Sequence, residues 1–192
     1  MINMGIGPLG GGDVIHKRKF RWTFEVYKAN ATGGKAGLLV PQHFVKLASR
    51  PNISIEETEI NFLHGKSYIP GKGTWETITV TYYDVSRANG GVANEGLWNW
   101  LASVYDFTNP VTLNHASTRE GYSGIGDLSM YDGCGVVLEG WTLGDCWPQA
   151  VNFGELDYSS SEECLIEVTL RYGNVSYVNY CGNNPVAECS GC

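Results

Sequence analysis

The stretch that decides the fold is Lys19-Phe-Arg-Trp-Thr-Phe-Glu-Val-Tyr27, in which apolar and polar side chains alternate. Its apolar members are Phe20, Trp22, Phe24 and Val26. Because successive side chains of a strand point to opposite faces, this alternation predicts a strand that is buried on one side. The stretch therefore predicts a sheet packed against a core.

The same pattern recurs along the chain. It predicts further strands at Pro41–Leu47, Ile53–Phe62, Thr74–Asp84, Asp127–Tyr131, Val136–Leu143, Glu163–Tyr172 and Val175–Tyr180. Two buried faces are predicted in the later strands: Ile78, Val80 and Tyr82 in one, and Cys164, Ile166, Val168, Leu170 and Tyr172 in the other. Gly65, Pro70 and Gly71-Lys-Gly73 are typical of tight turns, and Ala31–Gly37 and Asp106–Glu120 of loops.

One helix is predicted over Asn94–Tyr105, where Leu97, Leu101 and Val104 recur at helical spacing and Asn94 can act as the N-cap. Strands on either side of a single helix indicate a mainly β (α+β) fold: an antiparallel β-sandwich or half-barrel with one flanking α-helix and extended N- and C-terminal arms. We predict a single domain over residues 1–192. Residues 1–16 would be a flexible N-terminal arm and residues 181–192 a cysteine-bearing C-terminal tail.

Charge is unevenly distributed along the chain. The net charge is −7, from 13 basic and 20 acidic residues, yet residues 121–192 contain Arg171 as their one basic residue against 10 acidic ones. An acidic half is most simply a solvated surface, and in either case it lacks the basic footprint of a DNA-binding protein. No apolar run is long enough for a membrane helix, and no signal peptide is recognisable.

Motifs that could carry chemistry lack the context that they need. Gly5-Ile-Gly-Pro-Leu-Gly10 matches the spacing of a dinucleotide-binding loop, but no strand precedes it and it contains Pro8. Ile125 stands where a nucleophile elbow beginning at Gly121 would need glycine. The four histidines show no metal-ligand spacing. We therefore predict no enzyme activity, no metal and no cofactor.

Six cysteines leave several alternatives open: Cys134, Cys146, Cys164, Cys181, Cys189 and Cys192. Cys164 shares the alternation of core residues, which favours an inert buried thiol. The cluster of three near the C-terminus suggests a covalent cross-link. It could join subunits or close a loop within the tail, from Cys181 to Cys189 or Cys192, or the thiols could stay free.

Two regions resemble the tail tube proteins of contractile bacteriophages, a family similar to the tube protein of type VI secretion. The first is Arg50-Pro-Asn-Ile-Ser-Ile-Glu-Glu-Thr-Glu59 with Tyr68-Ile-Pro-Gly-Lys-Gly-Thr-Trp-Glu-Thr-Ile-Thr-Val-Thr-Tyr-Tyr-Asp84. The second is Val137-Leu-Glu-Gly-Trp-Thr-Leu-Gly-Asp-Cys-Trp-Pro148 with Phe153-Gly-Glu-Leu-Asp-Tyr-Ser-Ser-Ser161 and Ile166-Glu-Val-Thr-Leu-Arg-Tyr172. The resemblance covers roughly half of the chain. The 106–120 loop and the tail from Cys181 depart from it.

The resemblance implies six-fold rings that stack into a hollow tube whose lumen is lined by a continuous sheet. It implies that the segment from Arg50 to Gly73 contacts the adjacent ring, with candidates Glu57, Glu59, Asn61, His64, Lys66 and Tyr68. Acidic residues in the lumen would repel DNA at close range, and the candidates are Glu139, Glu155, Asp157 and Glu167.

The expected function is that of a structural virion protein: the inner tube of a contractile phage tail, assembled in the bacterial cytoplasm and used as the conduit for DNA ejection. Expected partners are further copies of the chain, the tail sheath protein, the baseplate and tail-terminator proteins, and the tape measure protein and DNA inside the lumen, without specific nucleic-acid binding and without a membrane. The alternatives are a tube-initiator or tail-terminator homologue that forms a single ring, and a small-ligand-binding β-barrel.

Overall fold

The computed structural model describes residues 17–30, 32, 34–85, 93–105, 118–181 and 184–185. The predicted N-terminal arm and most of the predicted C-terminal tail lie outside these ranges, as does most of the loop predicted over Asp106–Glu120.

The described elements are mostly antiparallel strands. The strands are β1 Trp22–Ala29, β2 Lys35–Val40, β3 Val45–Ala48, β4 Ile53–Phe62, β5 Gly65–Trp75, β6 Ile78–Tyr83, β7 Gly124–Tyr131, β8 Val137–Asn152, β9 Leu165–Arg171, β10 Asn174–Cys181 and β11 Asn184–Pro185. The helices are α1 Ala93–Val104 and the single turn α2 Arg119–Tyr122, and Gln42–Phe44 forms a short 3-10 turn. The predicted mainly β fold with a flanking helix is confirmed. Neither α-helix in these ranges is long and apolar enough to cross a membrane.

The main sheet follows the order β2-β1-β7-β8-β9-β6-β3, and β10 pairs with β8. The long strand β8 pairs with three strands. Its first half pairs with β7 and β10, and its second half pairs with β9. We call the β2-β1-β7-β8-β10 part the first layer and the β8-β9-β6-β3 part the second layer. Asp145, between the two halves of β8, has a φ of 55°. Leu143 and Cys146 are both buried, although residues three apart in a regular strand point to opposite faces. The face of β8 that points into the core therefore changes at Asp145.

The core lies between the two layers and under the helix. Phe24, Val26 and Leu128 come from the first layer, and the predicted sets Ile78, Val80, Tyr82 and Ile166, Val168, Leu170 come from the second. α1 contributes Leu97 and Trp100, and the Trp100 indole N–H donates to the carbonyl of Tyr122 at 2.8 Å. A Cβ on Gly96 would lie 2.7 Å from the Leu39 carbonyl, so the absence of a side chain permits the close approach of α1 to β2.

The structure differs from the prediction at several strand ends. Phe20 is 74% exposed because a turn, closed by the hydrogen bond from Arg21 N–H to the Arg18 carbonyl, delays the start of β1 to Trp22. Cys164 is exposed because β9 begins only at Leu165. β2 occupies part of the predicted loop Ala31–Gly37, and β8 continues past Leu143 through Pro148. Pro148 is tolerated there because the register of β8 and β9 shifts between Pro148 and Ala150.

Candidate assembly surfaces

β4 and β5 form a two-stranded sheet of their own, separate from the main sheet. Apart from half-buried Trp75, every residue of the two strands is exposed. Trp75 joins the hairpin to the body, with its ring centroid 6.3 Å from that of Tyr172. An isolated two-stranded hairpin is marginally stable in water, so this arm is an element that would gain stability from a further surface.

One face of the arm is polar. The register places Glu57, Glu59 and Asn61 opposite Pro70, Tyr68 and Lys66. Lys66 Nζ lies 2.8 Å from Glu59 Oε1. The predicted ring-stacking residues therefore share one face, except His64, which lies in the turn between the strands.

The opposite face is apolar near the tip. Thr58 faces Ile69, Ile60 faces Ser67 and Phe62 faces Gly65. Phe62 is 64% exposed and Leu63, in the turn, is 93% exposed. The sequence prediction missed this face, although the alternation of Thr58, Ile60 and Phe62 is a signal that could have identified it.

The tight turns predicted around Gly65–Gly73 are replaced by the continuous strand β5. The register shifts between Ile55 and Glu57, which gives β5 one extra residue near Pro70 and Gly71. A bulge accommodates proline, which has no N–H to donate. A Cβ on Gly71 would lie 3.1 Å from the Glu56 carbonyl, so glycine also suits the close contact there.

Glu139, one of the four predicted lumen acids, is buried. Its carboxylate accepts a hydrogen bond from the Lys17 ammonium and lies 3.1 Å from the Arg50 guanidinium. The Trp141 indole N–H also donates to it, at 3.4 Å. Burial raises the pKa of Glu139, but the hydrogen bond from Lys17 and the charge of Arg50 outweigh that effect and hold the pKa below its usual range. Contrary to the expectation, this carboxylate is enclosed in an ion-pair network and does not face open solvent.

The other three predicted acids are exposed and lie on two different parts of the chain. Glu155 and Asp157 belong to residues 154–163, which we call the acidic loop because it also contains Glu162 and Glu163 and no lysine or arginine. Asp157 accepts hydrogen bonds from the backbone N–H and hydroxyl of Ser159 at 2.9 and 2.8 Å, which lower its pKa. Glu167 lies on β9, opposite Thr81 of β6.

A polar face that the sequence prediction missed covers the outside of the first layer and lines an open pocket of about 350 Å³. Glu25 and Asp127 are direct cross-strand neighbours there. Tyr27 donates its hydroxyl to Glu25 at 2.6 Å, and this hydrogen bond is the main cause that raises the pKa of Tyr27 to about 12. Asp127 is paired with Lys35 and accepts a hydrogen bond from Thr142 at 2.9 Å. Separate partners thus offset the repulsion between the two carboxylates.

Three of the cysteines are free thiols in the described part of the chain. Cys134 and Cys164 are exposed free thiols, and Cys146 is a buried free thiol. Burial raises the pKa of the Cys146 thiol to about 12. The buried-thiol role predicted for Cys164 therefore belongs to Cys146. Cys181 ends β10, opposite Asn184, whereas Cys189 and Cys192 lie outside the described residues.

Comparison with known proteins finds similarity at the level of the fold. No protein-family model matches the chain, and no curated protein matches it. Among solved structures, a chain of the anti-feeding prophage (AFP) baseplate aligns with a TM-score of 0.63 at 10% identity, over 86% of this chain and 97% of that one. A chain of the AFP tube terminating cap aligns with a TM-score of 0.62 at 18% identity, over 92% of this chain and 100% of that one.

A third similar structure is the sheath–tube complex of the extracellular contractile injection system PVC, in its extended state. Its chain aligns with a TM-score of 0.58 at 17% identity, over 86% of this chain and 93% of that one. At these identities the likeness establishes a shared fold, and it extends over nearly the whole length of each chain. The protein therefore has the fold of subunits from the tube, cap and baseplate regions of contractile injection particles.

Proposed function

We propose that this protein is a structural subunit of a contractile phage tail, which forms hexameric rings that stack into the hollow inner tube through which DNA is ejected. The observation that carries the proposal is the fold shared along almost the full chain with subunits of contractile injection particles. The sequence resemblance to tail tube proteins supports it independently. In this role the protein performs no catalysis.

The exposed arm supports growth by stacking. Its apolar tip residues Ile60, Phe62 and Leu63 remain in solvent in the single chain, and a heterologous contact with another copy would bury them. Repetition of such a contact from ring to ring builds a filament. Glu57, Glu59, Asn61, Lys66 and Tyr68 line the other face of the arm, and His64 lies in its turn.

Electron microscopy of the purified protein in negative stain tests the assembly directly. Hollow tubes of stacked rings are the expected result. Deletion of Glu59–Lys66 should leave a folded subunit, as judged by circular dichroism, that no longer forms tubes. Normal tubes from the deletion variant would contradict the role of the arm.

Two alternatives predict different particles. An initiator or terminator homologue would form single rings that do not stack, and the likeness to the AFP tube terminating cap is the observation that favours it. Copy number in purified virions separates one ring from a full tube. A small-ligand-binding barrel would stay monomeric at all concentrations.

The proposed partners follow from the tube. The outside of the tube would contact the tail sheath, its ends the baseplate and tail terminator, and its lumen the tape measure protein and DNA. Assembly would take place in the bacterial cytoplasm, with the virion as the final location. Co-purification of the sheath protein with assembled tubes, but not with the deletion variant, is the expected result.

An acidic lumen remains part of the proposal, with the exposed residues Glu155, Asp157 and Glu167 as its candidates. Glu167 is the one to test first because it lies on a strand, with its side chain on the outer face of the second layer. Each phosphate contact strengthens DNA binding, so a lining that repels phosphate favours passage. Glu167→Lys particles with intact tubes should release DNA more slowly than wild type. An unchanged release rate would count against this lining.

A disulfide between subunits is also proposed for the tail thiols Cys181, Cys189 and Cys192, formed by oxidation after release from the reducing cytoplasm. A bond within one tail and free thiols are the alternatives. Non-reducing gel electrophoresis of virions, with thiols blocked at lysis, separates them. Multimers that collapse with reductant support the bond between subunits, and a monomer band alone contradicts it.

A further inference from the structure

A second surface, distinct from the arm, combines apolar and basic side chains. It is a groove of about 610 Å³ between β1, β7 and β3. Trp22, Leu47 and Met130 contribute its apolar lining. Its cations are Lys17, Lys19, Lys46 and Arg50. We call this surface the basic groove.

The positive charge of the basic groove is only partly neutralised within the chain. Lys17 and Arg50 share one carboxylate, that of Glu139. Lys46 Nζ lies 3.7 Å from Oε2 of the exposed Glu163. Lys19 forms no ion pair with the described residues. Four cations against these two carboxylates leave an excess of positive charge beside an apolar lining. Such a surface fits an acidic segment that also presents apolar side chains.

The acidic loop has the matching chemistry. Its four acidic residues are interrupted by Leu156, which is 87% exposed, and Tyr158, which is fully exposed. Large apolar side chains held in water next to carboxylates are typical of contact surfaces that become buried on binding. The hydrogen bonds between Asp157 and Ser159 hold this part of the loop in shape, which reduces the entropy lost on contact.

We propose that the acidic loop of one copy docks into the basic groove of a second copy, with Leu156 and Tyr158 against the apolar lining and Glu155 and Asp157 against the lysines. This inference rests on the self-assembly proposed above and assigns one of its contacts. The loop does not fill the groove of its own chain, because Leu156 and Tyr158 remain exposed. The ion pair between Lys46 and Glu163 places the end of the acidic loop beside the groove of its own chain.

Photo-cross-linking identifies the contact. Tyr158 is replaced by p-benzoylphenylalanine, and ¹⁵N-labelled and unlabelled copies are mixed, assembled and irradiated. We expect cross-linked peptides that pair one labelled with one unlabelled chain and that map to Trp22, Leu47 or Met130 and their immediate neighbours. Links within one chain, or links between chains that fall on the arm or elsewhere, would overturn the proposal.

Charge-reversal variants test the same contact without a cross-linking probe. Lys19→Glu and Glu155→Lys should each raise the protein concentration needed for assembly by roughly tenfold, because each replaces an attraction by a repulsion. The double variant should recover most of the loss. Lys28→Glu, at the far end of β1 and outside the groove, is the matched control and should assemble like wild type. Thermal unfolding of each variant monitors the fold.

The outcomes separate this inference from the proposed function. If the wild-type protein stays monomeric, both fail. The wild type could assemble while the double variant needs the concentration that the added effects of the two single variants predict. In that case the proposed function stands and the docking of loop and groove is wrong. Equal loss in Lys28→Glu would show a general effect of charge and would also overturn the contact.

Discussion

At the scale of single residues, Glu139 links the first turn of the described chain to the body of the sheet. Its carboxylate forms ion pairs with two cations, Lys17 and Arg50, which lie far apart in sequence. Because the pKa of Glu139 is lowered in the folded protein, its contribution to stability is present above the pKa of the unfolded chain and is lost as the pH falls.

Glu139→Gln should therefore lower the free energy of unfolding by about 1–2 kcal/mol at pH 7, since both cations are half exposed and keep part of their hydration. The deficit should shrink as the pH falls toward 4, where wild type loses the same interaction. Urea unfolding at both pH values measures it. Glu167→Gln, on an exposed strand position, is the control. A deficit that stays equal at both pH values would contradict the assignment.

Cys146 and Cys164 should differ sharply in reactivity. The raised pKa of Cys146 keeps its thiol protonated, and burial blocks access, whereas Cys134 and Cys164 are exposed. Iodoacetamide at pH 8 should modify Cys134 and Cys164 in the folded protein and Cys146 only after unfolding in urea. Peptide mass mapping reads each site separately. Modification of Cys146 at the rate of Cys164 would show that the core does not enclose it.

At the scale of elements, β8 depends on Asp145. Its φ of 55° is a left-handed conformation, and its carboxylate lies 2.9 Å from Arg119 of α2. Asp145→Ala should destabilise the protein by about 1–2 kcal/mol, because alanine tolerates this backbone poorly and also loses the ion pair. Asp145→Gly should cost less, since glycine adopts positive φ freely. Thermal unfolding compares the two, and equal losses would show that backbone strain is not the cause.

The two faces of the β4–β5 arm allow a matched pair of variants. Phe62→Ser removes an exposed aromatic ring from the apolar face, and Asn61→Ser changes the neighbouring residue on the polar face. If the apolar face makes the contact between rings, Phe62→Ser should weaken tube growth severalfold by sedimentation, and Asn61→Ser should not. Both should unfold at the wild-type temperature. Equal effects would assign the contact to the polar face as well.

The sequence correctly predicted the strands in which the alternation of apolar and polar residues matches the alternation of buried and exposed positions. Ile78, Val80 and Tyr82 illustrate this success. The failures lie where tertiary pairing overrides the local pattern. The alternation continues through Phe20 and Cys164, although β1 and β9 begin only at Trp22 and Leu165. β5 runs through Pro70 because β4 supplies a partner. The burial of Glu139 could not be predicted, since it depends on Lys17 and Arg50, which only the folded chain brings together.

At the scale of the whole molecule, charge should govern association. The first 120 residues carry most of the basic charge and residues 121–192 are acidic, so contacts between copies that join the two halves would be electrostatically favourable. Such attraction is screened by salt, with a Debye length of about 10 Å at 0.1 M and about 3 Å at 1 M. Ring formation measured by light scattering should weaken as NaCl rises. Unchanged or stronger association would assign the contact to apolar surface alone.

The topology also sets an order of events during translation. β4 and β5 are adjacent in sequence, so the arm can form within roughly 1–10 µs of leaving the ribosome. β1 must wait for β7: Thr23 and Tyr131, 108 residues apart, lie 3.1 Å from each other in the folded protein. At roughly 5–20 residues per second, the nascent chain presents its apolar tip for seconds before the body exists. Glu56 and Glu57, further along β4, place negative charge near that apolar segment, the arrangement by which charged residues flanking a hydrophobic strand oppose aggregation.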